Sequence, residues 1–125
     1  MGLDNILYTR QPVQDKKLSS ALENLCGGSF MTDNNNSFRG KVYDNIHEAI
    51  SGYSLYNTDE YDYGDYESIV QSYKSVIEKD LKGFLKDYNS EENTWGWEYK
   101  EEEVKALYRV FQLCLEEDWR INAWY

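Results

Sequence analysis

Ser37, Arg39, Gly40 and Lys41 fall close together in a chain whose charge is otherwise strongly negative. A guanidinium can grip a phosphate or carboxylate with two parallel hydrogen bonds, and an ammonium adds a compact point charge. A glycine between them lets backbone approach a ligand closely. A helix is expected to start directly afterwards, near Val42, and the first N–H groups of a helix lack partners within it. Two cations, orphan donors and the positive end of a helix dipole describe an anion site. The expected ligand set is Ser37, Arg39, Gly40, Lys41 and Tyr43, holding a nucleotide or another small phosphate-bearing molecule. The stretch matches neither a Walker motif nor a dinucleotide fingerprint. The plainer alternative is that both cations pair with the chain's own abundant carboxylates.

A second constellation is acidic. Asp59-Glu60-Tyr61-Asp62-Tyr63-Gly64-Asp65-Tyr66-Glu67 interleaves carboxylates with tyrosines, and no Lys or Arg occurs between Lys41 and Lys74. Carboxylates alternating with flat rings imitate a nucleic-acid backbone with its stacking faces. The alternative function is therefore a protein-interaction module whose Asp59, Glu60, Tyr61, Asp62 and Tyr63 engage a basic, nucleic-acid-binding partner. Against this stands a solvated loop whose last acids cap the next helix. The run lacks the EF-hand spacing, so no metal is expected.

His47 is the only histidine, and Tyr43, Asp44 and His47 are read as sharing a helix face. A His–carboxylate pair can move protons near neutral pH, which makes a small hydrolase a third reading. No nucleophile elbow accompanies it, so no catalytic residue is assigned and an enzyme is the less favoured class.

These residues need a scaffold, and the chain can build one. At 125 residues it fits one domain and buries enough surface to fold without staples. Twelve Tyr, four Trp and four Phe supply much of the core and argue against disorder. The 23 acids against 13 Lys and Arg give a net charge of -10. That field repels phosphate backbones and anionic membranes, so neither direct nucleic-acid binding nor membrane attachment is expected. No apolar run approaches the ~20 residues of a membrane span. Cys26 and Cys114 have neither metal nor redox spacing and read as free thiols. With no secretion signal or lipidation pattern, a cytoplasmic location is expected, without cofactor.

Hydrophobic periodicity predicts four helices. The first covers 16–26, with Asp15 as cap and Gly27-Gly28 as stop. The second covers 42–51, with Val42, Ile46, Ala49 and Ile50 inward. The third runs over 66–88 with Asp65 as cap, and Gly83 marks a bend or close packing. The fourth runs from Glu98 or Lys100 to Trp119. Short strands are expected at Ile6–Thr9 and Ile121–Tyr125, with weaker candidates at Ser29–Met31 and Trp95–Tyr99. The expected fold is a mainly helical α+β domain covering 1–125.

Three segments also resemble known sequences. Met1-Gly2-Leu3-Asp4-Asn5, Ser37-Phe38-Arg39-Gly40-Lys41-Val42-Tyr43 and Ser54-Leu55-Tyr56 resemble small uncharacterised proteins of bacteria and their phages. The resemblance implies a bacterial or phage origin and marks the 37–43 stretch as a family feature, without bringing an activity.

Overall fold

The structure, a computed structural model, describes residues 3–8, 16–30, 36–90 and 97–124. The expectations placed on Met1, Gly2, Thr9, Asp15, Met31, Trp95 and Tyr125 lie outside these residues. The chain forms β1 (Asp4–Tyr8), α1 (Lys16–Glu23), β2 (Ser29–Phe30), β3 (Asn36–Phe38) and α2 (Gly40–Ser51). A 3-10 helix (Leu55–Glu60), α3 (Tyr63–Asn89), α4 (Glu101–Glu116) and β4 (Arg120–Trp124) follow. The four strands make one antiparallel sheet in the order β2-β3-β1-β4. This is a mainly helical α+β fold.

The sheet is built around β1, whose side chains alternate. Leu3, Asn5 and Leu7 are buried, whereas Asp4, Ile6 and Tyr8 are half-buried. Register pairs Asn5 with Phe38 and Ala123, and Leu7 with Asn36 and Ile121, so each rung shares a face. The sequence predicts no strand over residues 36–38. Three residues are too few for period-two alternation to register, and only pairing with β1, some thirty positions away, makes them a strand. Conversely, Trp97–Tyr99 forms no strand. The Tyr99 N–H donates to Asn89 Oδ1 (2.8 Å), and its carbonyl accepts from Asn89 Nδ2 (2.9 Å), so a side chain takes the place of a neighbouring strand.

The helices cover the core with α4 at its centre. Val104, Leu107, Val110, Phe111 and Cys114 recur at helical spacing and are buried. The acidic first turn of α4 suits the positive end of its dipole. α1 buries Leu18, Ala21 and Leu22 but ends at Glu23, earlier than expected. Asn24 and Leu25 donate to carbonyls three residues back, tightening the final turn while keeping Leu25 inside.

α2 faces the core with Tyr43, Ile46, His47 and Ile50; Val42 is half-buried and Ala49 exposed. The periodicity reading was rotated toward the aliphatic residues, because it treated Tyr43 and His47 as polar. The helix stops at Gly52, whose φ of 81° is left-handed and whose N–H closes on Glu48 O at 2.8 Å.

α3 begins before the expected position because Asp62, not Asp65, is its cap. Asp65 N–H donates to Asp62 Oδ1 and Asp62 N–H donates to Asp65 Oδ2, both at 2.9 Å. A bend falls at Asp80, whose φ of -166° and ψ of 78° are extended. Its Oδ1 accepts from Gly83 N–H at 3.0 Å, so Asp80 caps the second half of the helix from within. A Cβ on residue 83 would stand 2.2 Å from that carboxylate, which explains why the glycine follows the bend. The bend shifts the buried stripe from Ile69 and Tyr73 to Leu81, Leu85 and Tyr88, leaving Val76, Ile77 and Phe84 partly covered.

Candidate functional site

The expected anion-site residues divide between two faces. Ser37 lies on β3, half-buried, opposite Ile6 and Ser29. Arg39 is part-exposed and pairs with Asp4 at 3.7 Å. Lys41 is exposed, but its N–H donates to Leu3 O at 3.1 Å and fastens the start of α2 to the sheet. Gly40 and Tyr43 point inward. Asn5, fully buried, donates through Nδ2 to Leu55 O (2.9 Å) and Thr58 Oγ1 (3.3 Å). A Cβ on residue 40 would stand 1.8 Å from Asn5 Oδ1, so glycine there makes room for the chain's own asparagine. The segments around Asp4-Asn5, Arg39-Gly40 and Leu55 thus meet at one side chain.

Tyr43 belongs to a polar network in the core. Its hydroxyl donates to Glu103 Oε2 and accepts from Cys26 N–H. Glu103 Oε1 in turn accepts from Lys100 N–H at 3.0 Å, so this buried carboxylate links α4 to α2 and α1's end. Burial pushes the Tyr43 hydroxyl well above the usual tyrosine range, and its bond to Glu103 adds to the shift. Such a group is a fixed donor at physiological pH.

His47 is fully buried and stacks on Phe111 with centroids 4.9 Å apart. Its Nδ1 lies 2.7 Å from the Tyr73 hydroxyl, and its Nε2 lies 3.3 Å from Tyr61 and 3.4 Å from Ser51. Tyr61 spends its proton on Ser54 O (2.5 Å) and Ser51 spends its own on His47 O (2.7 Å). Both hydroxyls can only accept at Nε2, so Nε2 carries the proton and Nδ1 accepts from Tyr73. Burial pushes the ring's pKa down to about 3. Asp44 does not share this face: its Oδ1 accepts from Leu55 N–H (2.7 Å) and Ser54 Oγ (3.0 Å), holding the 3-10 helix. The geometry that a histidine–carboxylate base requires is therefore not formed.

The acidic stretch has a defined shape. Asp59, Glu60, Asp62, Tyr63 and Glu67 are exposed. Tyr61 is the exception and corrects the expectation of five surface residues: its ring is buried between Tyr53 and Tyr66, edge-on to both. Asp59 Oδ1 accepts from Ala123 N–H at 3.0 Å, which brings the end of β4 beside the run. Trp124, 70% exposed, follows directly, while Tyr63 is 59% exposed and Tyr56 38%. Of the four large exposed apolar side chains among the described residues, these three belong to the segments of this acidic face. Tyr56 and Trp124 were not assigned to it from sequence; the only available sign was their position at the ends of elements that flank the run.

Among the described residues, no group of three or more His, Cys, Asp or Glu side chains could share a metal ion, and no helix is long and apolar enough to cross a membrane. Cys26 and Cys114 are both free. No protein-family model, curated protein or solved structure matches the chain.

Proposed function

We propose that the chain is a non-enzymatic interaction module that docks a basic, nucleic-acid-binding protein on the face carrying Tyr56, Asp59, Glu60, Asp62, Tyr63 and Trp124. The observation that carries this reading is the placement of exposed aromatic rings among carboxylates that join no ion pair among the described residues. An exposed acid by itself prefers water, and an exposed tryptophan by itself carries little meaning. Together they match the two recognition elements of proteins that hold nucleic acid, cations for the charges and flat side chains for the rings. The field of a chain with net charge -10 would also speed encounter with a positive surface. Anion binding at Ser37–Lys41 has less support, because Asp4 faces the Arg39 guanidinium and Tyr43 is turned to the core.

The test uses side chains that, among the described residues, hold no backbone group by a hydrogen bond. Glu60→Gln with Glu67→Gln, and separately Tyr63→Ser, should leave the melting temperature unchanged. Binding of the intact chain to a panel of purified basic DNA-binding domains is then followed by surface plasmon resonance. At least one domain should bind, duplex DNA should compete, and the double amide variant should associate more slowly at low salt, where charges are least screened. Absence of binding across the panel, or binding that neither variant alters, would refute the proposal.

A further inference from the structure

We infer that a second, separate site lies between the C-terminal half of α3 and residues 97–102, and that it takes a nucleotide. A cleft of about 810 Å³ opens there, within the range of small-ligand sites. Lys82 and Lys86 stand one turn apart on its α3 wall, and Lys100 stands on the facing wall. All three are exposed, and none takes part in an ion pair among the described residues, whereas Arg39, Arg109 and Arg120 all do. In a chain with ten more acids than bases, three lysines around one hollow offset its three glutamates, so the cleft is neutral where the chain as a whole is acidic.

The cleft is held open by its own bonds. Asn89, at the end of α3, grips both the N–H and the carbonyl of Tyr99, which fixes the separation of the walls. The Tyr99 hydroxyl donates to Val42 O, and its ring packs on Tyr88 (5.7 Å) and Tyr43 (6.1 Å). Leu85 contributes a buried apolar surface. Trp97 lies in the lining and is 39% exposed, so it offers a flat ring to a base. Opposite the α3 lysines stand Glu98, Glu101 and Glu102. A bare polyanion would meet these carboxylates unfavourably. A nucleotide with an amino-bearing base fits both walls: phosphates toward Lys82, Lys86 and Lys100, the base against Trp97, and its amino group toward the acids.

Calorimetric titration of the native chain with ADP, inorganic pyrophosphate and adenosine tests this. ADP should bind more tightly than either fragment. Lys82→Gln with Lys86→Gln removes two charge-assisted contacts and should weaken ADP by at least about tenfold. The melting temperature without ligand should not move. Trp97→Ala should reduce the preference for ADP over pyrophosphate, while Arg39→Gln should leave ADP binding unchanged. Failure of wild-type protein to bind ADP at millimolar concentration overturns the inference. So does equal binding of ADP and pyrophosphate, or a loss produced by Arg39→Gln and not by the lysine pair.

Discussion

Acidifying the protein from pH 7.5 to 5.0 should destabilise it by about 2 kcal/mol through His47 alone. In the fold, burial among Tyr61, Tyr73, Ser51 and Phe111 holds the ring neutral, with its pKa pushed down to about 3. Unfolded, it titrates at about 6.5 like any exposed histidine. Above that value neither state binds the proton and stability is complete. Between 6.5 and 3 only the unfolded state binds it, so stability falls as pH falls. The 1.5 pH units from 6.5 to 5.0, at about 1.4 kcal/mol each, set the magnitude. His47 is the only histidine, and ordinary carboxylates titrate mostly below this window, so the effect is isolated. Urea melts at several pH values would be compared with those of His47→Gln, whose amide keeps a donor and an acceptor but cannot take up the proton. The wild type should lose about 2 kcal/mol over this range and the variant under 0.5 kcal/mol. Equal slopes would refute the account. If the variant does not fold, the ring's NMR signal in wild type decides: a midpoint near 6.5 in the native protein would show that the ring charges without unfolding.

Phe111 touches His47, Tyr66 and Tyr73, so Phe111→Ala should cost about 3–5 kcal/mol in denaturant melts. Gly40→Ala drives a methyl group against Asn5 and should cost about 1–3 kcal/mol, whereas Arg39→Ala next door removes a part-exposed ion pair and should cost under about 1 kcal/mol. Cys114 is buried with its thiol pushed well up by desolvation, while Cys26 is half-buried. A thiol reagent should therefore modify Cys26 in native protein and reach Cys114 only after denaturation, and two thiols should titrate in denaturant without reductant.

Periodicity found the helices because each carries an apolar stripe long enough to register, and it found β1 and β4 as short β-rich runs. What it missed depended on distance. β3 exists because Asn36–Phe38 meets β1, and the 3-10 helix because Asp44 and Asn5 hold Leu55 from elsewhere in the chain. The candidate site was misread for a related reason. Tyr43 is expected in the ligand set and the tyrosines of the acidic run as stacking faces, yet Tyr43, Tyr61 and Tyr66 are buried, as are Tyr73, Tyr88 and Tyr99. Their hydroxyls serve the core as polar fasteners, Tyr61 to Ser54 and Tyr99 to Val42, and spacing along the chain carries no trace of that. Lys82 and Lys86 are not singled out from the sequence, and the facing Lys100 and Trp97 come opposite them only through the Asn89–Tyr99 contact.

The same tyrosines limit how the acidic face can work. β4 is an edge strand, and an edge with free N–H and C=O groups invites another strand to pair with it. Here the outward N–H groups are occupied: Ile121 donates to the Tyr66 hydroxyl (3.3 Å) and Ala123 to Asp59 (3.0 Å). Arg120 lies over the Tyr66 ring, 5.5 Å from its centroid, and pairs with Asp118 at 2.8 Å, which steadies the start of the strand. A partner that docked by adding a strand would first have to displace Asp59 and the α3 tyrosine. For the docking proposed above, this leaves recognition to side chains, and so to charge and ring stacking. Asp59→Asn separates the two modes. The amide oxygen can still accept from Ala123 N–H while one charge is lost, so docking by side chains predicts slower association at low salt with the fold unchanged. Docking by strand addition predicts binding tighter than wild type at high salt, where steering is screened and the weaker acceptor makes the edge easier to open.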